Sequence, residues 1–289
     1  MKNASLSDAS FLDREALDAE LGRVFEKCHN CRRCLPLCPS FPKLFEAVDH
    51  HEQDVSLLTV AENREVIDLC YQCKLCYNNC PYHPPHEWEI DFPKLMNRAK
   101  LVQAREEGVP LAERAGSQQD LMGRASCSAA PLANAAFKNR ALRLLMEKAT
   151  GIDRRFKMPH YEKKPFGKQL AKRRAPVATE ESVVLFTTCF VEYSEAETAW
   201  AAVQVLEHNG IGVVGGYDAC CGAPFLHGGE LENARRNAEK VVASLAPQVR
   251  AGRKIVVPGP TCSYQLKNEF PQLVPGEEAA LVAANTFDL

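Results

Sequence analysis

Long apolar runs are missing from this chain, although 46% of its 289 residues are hydrophobic. No stretch approaches the roughly 18 consecutive apolar residues that a membrane-spanning helix needs. The opening residues carry Lys2 and two aspartates, and they lack the apolar core of an export signal. We therefore expect no transmembrane segment and no secretion, and the length of the chain favours about two domains.

Sequence motifs of the common enzyme classes are also missing. The chain shows no general-acid pair, no Ser–His–Asp triad and no phosphate-binding loop. Glycines at positions 210, 212, 215 and 216 do not open a helix after a strand, so they do not form a dinucleotide-binding fingerprint. The chemistry of this protein must therefore come from other residues.

Cysteine, by contrast, is plentiful, with 13 residues in the chain. Without an export signal, so many cysteines indicate a reducing cytoplasm, where thiols remain available for metal. Eight of them form two identical C-x2-C-x2-C-x3-C-P runs, and the second run repeats the first 42 positions later, from 28 to 70. The runs are Cys28, Cys31, Cys34 and Cys38, followed by Cys70, Cys73, Cys76 and Cys80.

The spacing within each run is the ligand pattern of a pair of [4Fe-4S] clusters. Three thiolates at i, i+3 and i+6 hold three corners of one cube, and the fourth cysteine reaches the neighbouring cluster. The predicted ligands are Cys28, Cys31, Cys34 and Cys80 for cluster 1, and Cys70, Cys73, Cys76 and Cys38 for cluster 2. Two clusters interlocked in this way make an electron relay rather than a substrate site.

Zinc and disulfides are the alternatives for these eight cysteines. Two C-x2-C pairs already suffice for one tetrahedral zinc ion, so a third cysteine and a Cys-Pro fit a zinc scaffold poorly. Disulfides need an oxidising compartment, which the sequence does not indicate. We therefore expect cubane clusters.

The N-terminal part of the chain has helical periodicity. One apolar stripe, Leu17, Leu21, Val24 and Phe25, leads directly into Cys28. An isolated thiol, at position 127, lies in a small-residue segment and is expected to be inert. We predict an all-helical ferredoxin domain over residues 1–150. The segments predicted to be helical are 17–25, 61–69, 92–102 and 132–148.

Residues 151–180 form a basic segment. Between Arg154 and Arg174 it holds nine lysines and arginines and one acid, Glu162, and it is interrupted by prolines and a glycine. This composition predicts an extended linker between two domains. A second interpretation is a docking strip for an acidic partner or an anionic membrane surface. Nucleic-acid binding is not expected, because the remainder of the chain is acidic and repels phosphate.

Strands and helices alternate in residues 181–289. Strands are predicted at 182–187, 213–214 and 254–257, with helices at 195–209 and 231–249 between them. Such alternation indicates an α/β domain with a parallel sheet, in which ligands bind at the carboxyl ends of the strands. The cysteines that follow the three strands are Cys189, then Cys220 and Cys221, then Cys262.

These four C-terminal cysteines are expected to converge at one edge of the sheet. The paired Cys220 and Cys221 are also compatible with small buried residues or with a metal-free redox pair. We favour a third iron–sulfur cluster, because all three strand ends carry a thiol.

The order Cys189, Cys220-Cys221-Gly222, Cys262 resembles the first cysteine-rich CCG domain of the heterodisulfide reductase family. The family includes the C subunit of anaerobic glycerol-3-phosphate dehydrogenase, the glycolate oxidase iron–sulfur subunit and a lactate-utilisation protein, in which CCG domains follow a two-cluster helical ferredoxin domain. The resemblance covers nearly the whole chain, and the Gly-Pro-Thr-Cys-Ser-Tyr motif around Cys262 is particularly similar to the glycerol-3-phosphate dehydrogenase member.

This resemblance implies an iron–sulfur subunit of an oxidoreductase. Such a subunit relays electrons from a flavin dehydrogenase partner, of the glycerol-3-phosphate, glycolate or lactate type, towards quinone or another acceptor. A disulfide reductase acting at the C-terminal cysteines is the alternative. The expected location is the cytoplasm, with a peripheral contact at the inner membrane face; individual catalytic residues are not predicted.

The chain departs from the family pattern in two respects. Gln265 occupies the position of a further cysteine three residues after Cys262, which leaves four thiolates, enough for an ordinary cluster. Relatives carry two CCG domains, whereas this chain has one. We expect that the chain is a fragment or that the second domain lies on a separate polypeptide.

Overall fold

A computed structural model describes residue 6 and residues 9–173 and 181–289. The described chain divides into two compact units. The first ends at Val109 and also includes Leu226–Glu230, and the second comprises Pro110–Phe225 and Leu231–Leu289. Residues 174–180, the end of the predicted basic linker, lie outside the described residues.

Helices form the regular structure of the first unit in its described part, as the sequence predicts. Asp13 caps the first helix by accepting a hydrogen bond from the Ala16 amide at 2.8 Å. Thr59 and Glu62 form a capping box at the start of the third, which presents Cys70 just beyond its end. The helices are α1 (Arg14–Cys31), α2 (Ser40–His50), α3 (Val60–Asp68), α4 (Leu75–Asn79) and α5 (Phe92–Glu107).

The core of the first unit lies between α1, α2, α3 and α5. The predicted apolar stripe of α1 is buried there, and each fully buried aliphatic or aromatic side chain contributes about 1.5–3 kcal/mol. The rings of Phe41 and Phe92 pack with centroids 4.5 Å apart. Five of the cysteines in the duplicated runs pack against this core while partly buried: Cys28, Cys34, Cys38, Cys76 and Cys80.

The second unit begins with four consecutive helices and continues as an α/β fold. Its first elements are α6 (Leu111–Ser117), α7 (Gln119–Ser128), α8 (Ala130–Lys138), α9 (Arg140–Thr150) and α10 (Phe166–Leu170). The next are β1 (Ser182–Leu185), α11 (Cys189–Tyr193), α12 (Ala196–His208), β2 (Gly212–Gly215) and α13 (Ala223–His227), of which Leu226 and His227 are counted in the first unit. The last are α14 (Leu231–Arg250), β3 (Lys254–Val257), α15 (Pro260–Tyr264), the π-helical segment Gln265–Glu269, α16 (Phe270–Leu273), α17 (Glu277–Ala284) and β4 (Thr286–Asp288).

The four strands form a parallel sheet in the order β2-β1-β3-β4. Strand β1 therefore lies between β2 and β3, and the three chain segments that carry the C-terminal cysteines leave the sheet from adjacent strands. The parallel sheet is confirmed, and β3 has the predicted bounds. Strand β4 is an addition that the sequence did not indicate, paired with β3 through Thr286 opposite Ile255.

The single helix predicted over 132–148 is wrong, because the chain forms two helices that meet at Asn139. The Asn139 side chain accepts hydrogen bonds from the amides of Ala141 and Leu142, and this local cap starts α9 anew. Both helices belong to the second compact unit rather than to the unit that holds the duplicated cysteines. None of the described helices combines the length and apolarity required to cross a bilayer.

Helix α7 packs its Gly123 directly against the ring of Tyr193, so Gly123→Ala is expected to destabilise the second unit. A Cβ at this position would overlap the ring, whose hydroxyl is held by Asp120 at 3.2 Å and Arg124 at 3.3 Å. Overpacking of this kind typically lowers the free energy of unfolding by about 1–3 kcal/mol. Chemical denaturation of the purified chain measures the difference.

Gly116→Ala is the matched control for that substitution. Gly116 is also helical, and among the described residues no atom lies within 4 Å of its Cβ position. Replacement should therefore raise stability by roughly 0.5–1 kcal/mol through helix propensity. Equal effects of the two substitutions would contradict the packing argument.

Candidate metal centres

The two duplicated cysteine runs share a left-handed residue at the equivalent place. Arg32 follows Cys31, and Lys74 follows Cys73 at the equivalent place in the second run. Both residues adopt the left-handed conformation, with φ of 50° and 63°. Non-glycine residues rarely adopt this conformation, so its recurrence is a backbone feature common to both runs. The runs differ elsewhere, because Cys28 and Cys31 lie in α1 whereas Cys76 lies in α4.

The first four-thiol group consists of Cys28, Cys31, Cys34 and Cys80. These four side chains line one cavity at the end of α1, together with the apolar residues Phe41 and Ile90. The first three come from one run and the fourth from the other, as predicted for cluster 1.

The second four-thiol group consists of Cys70, Cys73, Cys76 and Cys38. The Cys76 thiol interacts electrostatically with the other three thiols, and Cys70 does so with Cys38 and Cys73. Cys76 also lies near Cys34 of the first group. The two groups are therefore adjacent.

The chemistry of these donor sets fits an iron–sulfur cluster. Burial, followed by the nearby thiols Cys80 and Cys34, raises the pKa of Cys28 well above its usual range, and burial also raises the pKa of Cys76. Thiols crowded in such surroundings do not ionise together unless a cation compensates their charge, and metal binding supplies that compensation with release of protons.

No three His, Cys, Asp or Glu side chains in the described parts of the chain converge closely enough to ligate one metal ion. A cubane makes a different demand on the protein. Its four thiolates each bind a separate iron atom at the corners of the cube, so they surround a volume rather than a point.

Two arginines near the first group differ in how their charge is balanced. Arg32 is paired with Asp49, at 2.8 Å between Nη1 and Oδ2. Arg33 lines the cysteine cavity, and its Nε donates to the amide oxygen of Asn79 at 3.3 Å. The charge of Arg33 is thus directed at the thiols, whereas a carboxylate offsets that of Arg32.

Arg33→Gln is expected to lower the reduction potential of the cluster held by the first group, on the order of tens of millivolts at low salt. Positive charge favours the reduced, more negative cluster, so its loss disfavours reduction. Arg32→Gln should shift the potential less, since Asp49 already offsets that charge. An anaerobic titration followed by electron paramagnetic resonance tests this, and an upward shift for Arg33→Gln would refute the prediction.

The third group, of four C-terminal thiols, forms at the carboxyl edge of the sheet. Thr188 accepts a hydrogen bond from the Val191 amide at 3.1 Å and so starts α11 with Cys189 as its first residue. Sulfur–sulfur contacts then link the thiols in a chain. They run from Cys189 to Cys220, from Cys220 to Cys221, and from Cys221 to Cys262 at 3.3 Å.

The structure therefore brings together the four cysteines that sequence reasoning placed at three strand ends. Hydrogen bonding to Cys220 and burial raise the pKa of Cys189 far above its usual range. Cys127 does not belong to the group: its thiol is directed at the carbonyl of Tyr193, at 3.5 Å, and burial raises its pKa to about 11.

Gln265 occupies the position where the family pattern has a further cysteine. Its side chain is buried within the π-helical segment that follows Cys262, and the amide Nε2 has no hydrogen-bond partner among the described atoms. A buried unsatisfied donor is unusual in a native protein. One helical turn from Cys262, such a donor fits a sulfur acceptor in a bound cluster.

Sequence reasoning missed the residues that hold the loop of Cys220. The Asp120 carboxylate, at the start of α7, accepts a hydrogen bond from the Cys220 amide at 2.6 Å and others from the hydroxyls of Tyr217 and Tyr193. Burial, followed by the Asp120 charge, raises the pKa of Tyr217 far above its usual range. Because Asp120 lies 100 positions from Cys220, no local pattern could have revealed this contact.

Comparison with known families fits this division of the cysteines. Residues 19–106 match the Citrate utilization protein B Fer4-like domain, and residues 183–267 match the Cysteine-rich domain, CCG. The chain combines a Fer4-like domain with a CCG domain. These matches support iron–sulfur cofactors, and they confirm the resemblance derived from the cysteine pattern.

Curated proteins similar to this chain include a dehydrogenase subunit and a lactate utilization protein. The chain is 30% identical over 161 residues to the C subunit of anaerobic glycerol-3-phosphate dehydrogenase from Escherichia coli (strain K12), a match that covers 55% of this chain and 41% of the relative. It is 29% identical over 113 residues to lactate utilization protein A of Geobacillus kaustophilus (strain HTA426), covering 37% of this chain and 45% of the relative. The matched region thus spans less than half the length of either relative. No solved structure matches the chain.

Proposed function

We propose that this chain is the iron–sulfur electron-transfer subunit of an oxidoreductase. It takes electrons from a flavin dehydrogenase partner, of the glycerol-3-phosphate, glycolate or lactate type, and passes them towards quinone or another acceptor. The observation that supports the proposal is that Cys80 lines one cavity with Cys28, Cys31 and Cys34, and that Cys76 lies close to Cys34, Cys70, Cys38 and Cys73. Similarity to a dehydrogenase subunit and to a lactate utilization protein supports it.

The proposed ligands follow the thiol groups. Two [4Fe-4S] clusters occupy the two groups of the Fer4-like domain, and a third iron–sulfur cluster occupies the C-terminal group. The cytoplasmic location and the role of residues 151–180 as a linker between domains stay predictions. A peripheral contact at the membrane, where quinone is available, belongs to the same proposal.

Anaerobic redox cycling of the full chain tests the relay. We expect about twelve iron atoms per chain, taking four per cubane, and a brown colour that dithionite bleaches. Addition of a water-soluble quinone should then reoxidise the clusters completely and repeatedly. A folded but colourless and iron-poor chain, purified without oxygen, would contradict the proposal.

The disulfide reductase alternative is tested on the same material. The contact of 3.3 Å between the thiols of Cys221 and Cys262 is the observation that favours it. Organic disulfide is supplied to the dithionite-reduced chain, and thiol release is measured over many equivalents. We expect quinone to reoxidise the clusters, and we expect the disulfide to yield no more thiol than the reducing equivalents stored in the chain. Catalytic release of thiol would instead establish the reductase.

A further inference from the structure

A cavity in the second unit lies outside the thiol groups and takes no part in the proposed relay. It has a volume of about 420 Å³, which is within the usual range for sites that bind small molecules. Helix α7 and α11 form one side of it, and the segment 163–168 forms the other. All of its lining residues belong to the second compact unit.

Positive charge dominates the lining of this cavity. Lys163, Lys164 and Lys168 come from the basic segment that the sequence marks as a linker or docking strip, and Arg124 comes from α7. The three lysines are exposed, and within the described residues their ammonium groups form no ion pair. Three lysines of the basic segment therefore lie on the surface of this one cavity.

The single acid in the lining does not neutralise these lysines. Glu192 is buried, and its carboxylate accepts hydrogen bonds from the Gly167 amide at 3.0 Å and the Thr187 hydroxyl at 2.9 Å. Its oxygens are therefore already engaged by the fold. Four cationic side chains face the cavity with one internally satisfied carboxylate, which is the electrostatic arrangement of an anion site.

The cavity also shares a wall with the C-terminal thiol group. Tyr193 and Tyr217 line it, and both pack in the aromatic cluster that includes Cys189. Tyr217 interacts electrostatically with Cys189 and Cys220. Tyr217 therefore borders both the cavity and the C-terminal thiol group.

We propose that this cavity binds a small polyanion of the carboxylate or phosphate class beside the C-terminal thiol group. Lys163, Lys164 and Lys168 hold its charged groups. Arg124 adds positive charge, although its Nε and Nη2 already donate to the Tyr193 hydroxyl and the Asp218 carbonyl. This site is independent of whether the chain relays electrons, because it needs only the folded second unit.

Isothermal titration of the full, cluster-containing chain with pyrophosphate and, separately, with citrate tests the proposal. We expect one site for at least one of these probes, with affinity that falls as salt is added. The tighter probe identifies phosphate or carboxylate as the preferred chemistry. Lys163→Gln and Lys168→Gln should each weaken binding about two- to fivefold, and the double substitution about tenfold.

Lys157→Gln is the matched control, because Lys157 is an exposed lysine of the same basic segment that does not line the cavity. It should leave both affinities unchanged. The proposal is overturned if neither probe binds, or if Lys157→Gln weakens binding as much as Lys168→Gln does. Circular dichroism of each variant confirms that the exposed substitutions leave the fold intact, and a Lys168→Arg variant should retain binding.

Discussion

Cys31→Ala combined with Cys80→Ala is expected to remove one cluster, whereas Cys73→Ala combined with Cys80→Ala is expected to remove two. The reason is the crossed grouping of the duplicated runs. Cys80 lines the same cavity as Cys31, although 49 positions separate them, and Cys73 lies with the other group. Removal of one ligand already abolishes its cluster, so removal of a second ligand of the same cluster causes no further loss of iron.

Iron content measures this directly. From about twelve iron atoms per chain, the pair Cys31 and Cys80 should leave about eight, and the pair Cys73 and Cys80 should leave about four. Electron paramagnetic resonance of the reduced variants should show in parallel that spin coupling between the two N-terminal centres disappears in each. The effect is large because each cluster requires its full set of thiolates.

Cys38 provides the reciprocal control. Cys38→Ala should lose no further iron when it is joined to Cys73→Ala, but it should remove a second cluster when it is joined to Cys31→Ala. If each run instead held its own cluster, both results would be reversed. That reversal would show that the contacts between the runs do not reflect ligation.

Much of the site could be predicted because its cysteines obey two geometric rules. The duplicated spacing predicts three ligands of each cluster from one run and the fourth from the other. In the structure Cys80 lines the cavity of Cys28, Cys31 and Cys34, and Cys38 lies near Cys76. Parallel strands end at one edge, so Cys189, Cys220 and Cys262 meet there despite their distance in sequence. Both rules need only local periodicity and the positions of the cysteines.

The rest depends on contacts that leave no local pattern. Asp120, in α7, accepts a hydrogen bond from the amide of Cys220. The residues directly before Asp120 are ordinary polar residues and give no sign of this contact. Strand β4 is three residues long, too short for an alternation of apolar and polar residues to be recognised, and pairing with β3 defines it. Asn139 ends a helical pattern only because its side chain caps the next helix. Tertiary structure decides each of these features.

Cys221→Ala, in the C-terminal group, is expected to remove the third cluster and to leave the two N-terminal clusters in place. Cys221 is buried in the middle of the thiol chain, with Cys220 on one side and Cys262 at 3.3 Å on the other. Iron should fall from about twelve to about eight atoms per chain, with the signals of the two N-terminal clusters unchanged. Only the third signal should disappear.

Cys127→Ala separates loss of a ligand from loss of a buried thiol. Cys127 is buried to a similar degree in the same unit, but its contact is the carbonyl of Tyr193 and not another thiol. Its substitution should leave iron at about twelve atoms per chain, because four thiolates complete the third site without it.

If the unmodified chain holds about eight iron atoms and Cys221→Ala changes nothing, the C-terminal cysteines act without metal. Titration with a thiol reagent should then reveal a reversible disulfide, which makes the adjacent pair a redox centre of a different kind.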